Sequence, residues 1–148
     1  MPAVSDSQII IRLVASVLLS SLIGSEREVR GRAAGLRTHI LVGLSTCLLM
    51  LVSIFISQGP GGEHLFDPGR VAAGVVTGIG ILCAGTIIRF GTSVKGLTTA
   101  ASLWAVAALG LTVGMGFYVA ALTATLLILI TLLLLSRFEK TLNKFVEK

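Results

Sequence analysis

Long stretches without a charged residue divide this chain, and their lengths predict its architecture. Thr38 to Gly62 is a run of 25 residues without Asp, Glu, Lys or Arg. Its last five, Gln58-Gly59-Pro60-Gly61-Gly62, have turn chemistry, so the pattern predicts a helical span near His39 to Ser57. Val71 to Ile88 supplies 18 more uncharged residues, and Gly96 to Ser136 a further 41. A helix needs about 20 apolar residues to cross about 30 Å of hydrocarbon. The longest run is therefore read as two crossings, Leu97 to Gly114 and Phe117 to Leu135, broken at Gly114-Met115-Gly116. At the N-terminus the apolar pattern begins at Ile9, and Arg12 lies one turn inside it, where a long stem reaches the interface. No basic segment precedes this apolar stretch, which argues for a retained span over a cleaved signal peptide. The pattern predicts an all-α polytopic membrane protein with about five transmembrane helices.

Composition agrees with that reading. Hydrophobic residues make up 54% of the 148, charged residues 13%, and mean hydropathy is +0.96, whereas soluble domains carry about 25% charged residues. The charges cluster between spans. With the first inter-span loop in the cytoplasm, Arg27, Arg30, Arg32, Arg37, Arg89, Lys95, Arg137, Lys140, Lys144 and Lys148 lie inside, ten against Arg12 and Arg70 outside. The positive-inside rule then predicts an external N-terminus and a cytoplasmic C-terminus. The expected organisation is a membrane domain over 1–136 and a short basic tail over 137–148. In that tail Phe138, Leu142, Phe145 and Val146 share a helical stripe suited to an anionic leaflet.

Glycine is the informative residue type, 17 in all, and it concentrates in the spans. Gly74 with Gly78, Gly80 with Ala84, and Gly110 with Gly114 form small-xxx-small pairs, and Gly85 follows; Ser16, Ser20 and Gly24 give the first span a small-residue stripe. Such faces let helix backbones approach closely in lipid. They serve helix packing within the chain or an oligomer interface such as a homo-dimer, and the pattern alone does not choose. An offset of 61 residues also relates Gly24 to Gly85 and Gly35-Leu36-Arg37-Thr38 to Gly96-Leu97-Thr98-Thr99, the spacing a repeated helical hairpin would leave.

Candidate chemistry is sparse. Cys47 and Cys83 fall inside spans as small packing residues, and His39 and His64 are expected in solvated loops on opposite sides, which excludes a shared metal site. No nucleophile with a base and no paired carboxylates occur at workable spacing, so neither an enzyme nor a cofactor is expected. Gly78-Ile79-Gly80 and Gly91 to Gly96 lack the context of nucleotide loops, and no nucleic acid partner is indicated. Binding of a ligand or partner is assigned to the residues at the membrane faces. Glu26, Arg27, Arg37, Lys95, Thr98 and Thr99 lie on the cytoplasmic side, where Thr38, Thr98 and Thr99 stand ready to cap helix starts in an electropositive pocket; Asp67 and Arg70 lie on the outer side. Ion pairs of Glu26 with Arg27 or Arg37 and of Asp67 with Arg70 are expected there.

Five ordered blocks carry a family resemblance. They are Gly24-Ser25-Glu26-Arg27, Arg32 to Thr38, Asp67 to Ala73, Gly78 to Gly85, and Val94-Lys95-Gly96-Leu97-Thr98-Thr99-Ala100-Ala101-Ser102-Leu103-Trp104. From Gly24 to Trp104 the chain resembles the membrane domain of the MgtC/SapB family, departing at Cys83, where Gly is usual, and Lys95, where Arg is common. The resemblance implies a bacterial inner-membrane protein linked to magnesium homeostasis and to virulence inside host cells. It implies action by binding and regulating other membrane proteins, the F-type ATP synthase among them; the alternative is a direct transporter of magnesium or another cation, as an oligomer. Longer members carry a soluble C-terminal domain, and with 12 residues after Ser136 the expectation here is a short member without it.

Overall fold

A computed structural model describes residues 4–57 and 67–135 of the chain. Among the described residues, five helices alternate in direction through a bundle. α1 (Asp6–Val29) opens with Asp6 in its first turn, where a carboxylate meets the positive helix end. α2 is Leu36–Ser57 and α3 is Pro68–Ala84. α3 starts with a proline whose missing N–H costs nothing there, behind Asp67, whose carboxylate accepts from the Gly69 N–H at 2.8 Å. A two-stranded hairpin, β1 (Ile88–Phe90) and β2 (Ser93–Lys95), leads into α4 (Leu97–Met115). α5 (Tyr118–Ile130) continues as one wide turn over Thr131–Leu135.

The helices α1, α2 and α4, with 24, 22 and 19 residues, are long and apolar enough to cross a membrane; α3 and α5 are shorter apolar helices. This is an all-α membrane architecture. Its centre is α4, which touches each of the other four helices and has its largest contact with α2. Residue pairing fixes the directions. His39 meets Ser102, Gly43 meets Val106, Thr46 and Cys47 meet Gly110, and Met50 meets Gly114, so α2 and α4 advance in step and run parallel. Against α1 the order reverses: Leu36 and His39 face Gly24, Gly43 faces Ser20, and Cys47 bonds the Arg12 carbonyl. Ile23, Cys47, Leu103, Val106, Val113 and Ala121 form the apolar core of this arrangement.

Glycine makes the closeness possible. A Cβ on Gly24 would stand 2.9 Å from the Leu36 Cα, and one on Gly114 would stand 2.7 Å from the Met50 Cβ and 2.9 Å from the Cys47 carbonyl oxygen. On Gly110 it would overlap Thr46 Oγ1 and the Gly43 carbonyl oxygen. The turns use glycine differently. Gly96 (φ 91°) and Gly116 (φ 89°) bracket α4 in the left-handed region, and Gly116 and Phe117 return their N–H groups to Val113 and Thr112 in a Schellman closure.

Several boundaries correct the expectations. The third span ends at Ala84, capped by Gly85, instead of reaching Ile88, because Ile88 to Lys95 folds as the hairpin. α2 begins at Leu36, before His39, because Glu28 Oε2 accepts the Leu36 N–H at 2.9 Å. The cap expected of Thr38 is thus supplied by a carboxylate, while Gly96 begins α4 without any side-chain cap; Thr98 is exposed and Thr99 buried inside the helix. The 61-residue offset survives in the outgoing helices, which both start on a Gly-Leu step. It is lost in the incoming ones, since Gly24 lies within α1 whereas Gly85 ends α3. The Gln58 to Gly62 turn, Glu63, His64 and the amphipathic tail 137–148 lie outside the described residues.

Candidate functional site

The end of the bundle that carries Arg27, Arg30, Arg37, Arg89 and Lys95, here the basic end, encloses a polar cluster. Arg27 is the largest fully buried side chain in the described structure, only 2% exposed. Its Nε lies 2.5 Å from Glu26 Oε2, and Arg30 Nε lies 2.5 Å from Glu26 Oε1, so one carboxylate bridges two guanidinium groups. Glu28, two residues on, caps α2 across the turn, and its carboxylate passes where a Cβ on Gly35 would sit. A loop of six residues, 30–35, can therefore reverse the chain with the start of α2 capped from α1.

His39 extends the cluster into the core. It is wholly buried, not a solvated loop residue as expected, because α2 starts early and turns this side chain toward α1 and α4. Nδ1 donates to the Gly35 carbonyl at 2.8 Å, and Nε2 lies 3.1 Å from Ser102 Oγ, which is itself 2.8 Å from the Thr99 carbonyl. The imidazole thus ties the first turn of α2 to α4. Ser102→Ala strands Nε2 among buried groups; the expected cost is about 1–3 kcal/mol, read as a lower midpoint in thermal unfolding of the detergent-solubilised protein. An unchanged midpoint would mean that His39 is not held through Ser102.

At the opposite end Arg12 completes α4. Its Nη1 donates to the Gly114 carbonyl at 2.7 Å, and the guanidinium lies where a Cβ on Gly116 would come within 3.0 Å of it. A cation on the last carbonyls of a helix meets the negative end of its dipole. Arg12 is the snorkelling residue of the first span, and α4 is where it arrives.

The other candidate residues stand apart from one another. Glu26 and Arg27 come together in the cluster, but Arg37 is exposed on α2, and Arg30 takes the place expected for it beside Glu26. Lys95 lies on the hairpin with its Nζ 5.8 Å from the centroid of the Phe90 ring. Asp67 caps α3 and does not pair with Arg70, which is exposed one turn into that helix. Gly110 and Gly114 lie in the α2 contact, whereas a Cβ on Gly74, Gly78 or Gly80 would meet nothing within 4 Å. Gly85 is close only to the carbonyls of its own helix.

Among the described residues, α3 therefore leaves two faces that no helix packs against closely. One borders an open cleft of about 650 Å³ between α2 and α3, floored by Gly74 and Gly78 and walled by Leu41, Ser45, Leu49 and Leu82. The other is the outward stripe Ala73, Thr77, Gly80 and Ala84. Sequence reasoning missed His39, Ser102 and Gly43. The 61-residue offset of Gly35-Leu36 and Gly96-Leu97 did not signal the first two, since it aligns His39 with Ala100, whereas the imidazole meets Ser102, 63 residues on. Among the described residues, no three His, Cys, Asp or Glu side chains gather as a metal-holding group.

The MgtC family model matches residues 13–141. The chain is 38% identical over 144 residues to the putative magnesium transporter YhiD of Escherichia coli (strain K12), covering 96% of this chain and 66% of that protein. It is 43% identical over 135 residues to protein MgtC of Salmonella typhimurium (strain LT2), covering 91% of this chain and 55% of that one. An uncharacterized protein of Synechocystis sp. is 37% identical over 134 residues, again at 55% of its length. The chain thus spans between 55% and 66% of the length of these relatives. No solved structure matches it. With a family model over most of its length and the five-helix membrane architecture that carries the matched blocks, this chain belongs to the MgtC family.

Proposed function

We propose that this chain is a multi-pass protein of the bacterial inner membrane, tied to magnesium homeostasis, that docks on another membrane protein and regulates it. The observation that carries this reading is the outward stripe of α3. Ala73, Thr77, Gly80 and Ala84 are all exposed, and the space beyond Gly80 is open. In lipid, helices associate through close backbone approach at small residues. The other such faces, at Gly24, Gly43, Gly110 and Gly114, are already filled by helices of this chain. The stripe is where a foreign helix fits.

Three of the described carboxylates support the same reading. Magnesium keeps several waters and asks for free oxygen ligands. Glu26 bridges two arginines, Glu28 caps α2 and Asp67 caps α3, so each is engaged in holding the fold. No catalytic step is proposed. The excess of basic residues places the polar cluster and the hairpin on the cytoplasmic side in this reading. The first partner to test is the membrane sector of the F-type ATP synthase, which the family resemblance implies. A second reading, cation transport by an oligomer, is favoured by the transporter name of the YhiD relative.

A photo-crosslinking residue at Thr77, in cells, tests the docking surface. The expected result is one defined membrane-protein adduct that Gly80→Leu abolishes, while a probe at Val119 on the exposed face of α5 forms none. Equal adducts from both positions, or an adduct unaffected by Gly80→Leu, would overturn the assignment. An adduct of twice the chain's mass would identify the partner as a second copy.

A further inference from the structure

The cleft between α2 and α3 is distinct from the docking stripe, because Gly74 and Gly78 face it while Gly80 points away. We infer that this cleft holds one acyl chain of an anionic phospholipid whose headgroup lies among Arg37, Arg89 and Lys95. The walls are almost wholly apolar, and the glycine floor leaves room that no side chain of the described structure fills. Leu41 to Leu49 on one wall are eight residues apart, about 12 Å of helix rise, close to the depth of one leaflet of hydrocarbon. A slot of that length and character accepts a lipid chain lying along the bundle.

Charge marks the headgroup end. Leu41, Ser45 and Leu49 follow one another at four-residue steps on α2, and Arg37 continues that line by one turn toward the basic end, where it is exposed. On the other wall α3 ends two residues after Leu82, and the hairpin follows with Arg89 and Lys95, both exposed. The hairpin also sets the depth of these charges. A two-stranded ribbon has open edges whose N–H and C=O groups need water, so it is excluded from the hydrocarbon. Its exposed Ile88 and Phe90 nonetheless favour contact with the bilayer, and Lys95 lies over Phe90 on the same face. The interface satisfies both demands, and there Arg37 and Lys95 stand at the level of lipid phosphates, while Arg89, on the other face of the ribbon with its Nε donating to the Gly91 carbonyl at 3.1 Å, adds charge at the same depth. Basic clefts between transmembrane helices are sites of this kind for anionic headgroups.

The test is native mass spectrometry of the full chain, released from detergent after incubation with equimolar phosphatidylglycerol and phosphatidylcholine of matched acyl chains. The expected result is one retained lipid per chain, with phosphatidylglycerol favoured at least about fivefold, as a few cations near an anionic headgroup provide. Gly78→Leu fills the slot from the open side of α3 and is expected to abolish retention. Arg37→Gln with Arg89→Gln and Lys95→Gln is expected to keep a lipid bound but to lose the preference. Equal retention of the two lipids by the unaltered chain, or full phosphatidylglycerol retention by Gly78→Leu, would overturn the inference. So would a second copy or a partner helix crosslinking from Ser45 in place of lipid. Gly80→Leu is expected to leave lipid retention unchanged, so failure of the docking stripe and failure of the lipid site are separately visible.

Discussion

Gly110→Leu is expected to break the bundle at its centre. The added side chain would enter the contact where α2 and α4 approach backbone to backbone, overlapping the Gly43 carbonyl and Thr46 Oγ1, with the Cys47 N–H 3.1 Å from the new Cβ. Backbone on the far side cannot move without carrying the rest of α2, which His39 ties to Ser102 one end away. Overpacking of this kind costs about 1–3 kcal/mol and sometimes more, and here leucine stands at the upper end. Even Gly110→Ala is expected to destabilise. Gly80→Ala is expected to do the reverse, because its Cβ meets nothing and alanine favours a helix interior over glycine by about 1 kcal/mol. Thermal unfolding in detergent checks the pair. Opposite signs follow from this packing; a destabilising Gly80→Ala or a neutral Gly110→Ala would contradict it.

Glu26→Gln is expected to be comparably severe at the basic end. Glu26 is itself only 8% exposed on its side chain and faces Arg27 at 2%. Removing the charge leaves a buried guanidinium without its counter-ion, and breaking a buried pair from one side costs about 3–5 kcal/mol. Arg30, at 24% exposure, can turn to solvent, whereas Arg27 cannot. The double variant Glu26→Gln with Arg27→Met removes the stranded charge and is expected to recover most of the loss. The same unfolding measurement on the two single variants and the double variant reads the coupling; equal losses for Glu26→Gln alone and for the double variant would mean that the ion pair does not hold this end.

Much of the fold was legible because lipid imposes a coarse rule that the sequence obeys openly. Uncharged runs mark where the helices lie, and Gly114-Met115-Gly116 marked the break between α4 and α5. The rest depended on pairings between distant residues. Nothing near Leu36 announces that Glu28 will cap it, so the pattern starts α2 three residues late and reads His39 as a loop residue. A hairpin of two three-residue strands at Ile88 to Lys95 lies within an apolar, glycine-punctuated stretch whose pattern reads equally as a helix end. Small-residue pairs at Gly74, Gly80 and Gly110 look alike along the chain. Only the fold separates Gly110, pressed on α2, from Gly78, over a cleft, and from Gly80, facing outward. The candidate polar residues were found as types, but their partners were not: Arg30 stands where Arg37 was expected, and Asp67 serves α3 in place of Arg70.

Regulation by docking, as opposed to ion conduction, is the central claim, and magnesium flux tests it most directly. The purified chain, shown by its unfolding transition to be folded, is reconstituted into proteoliposomes with a magnesium-sensitive dye inside and compared with protein-free vesicles. The account predicts equal, unsaturable leak in both. Saturable uptake that is lost in Asp67→Asn would contradict it and would make this chain a magnesium transporter.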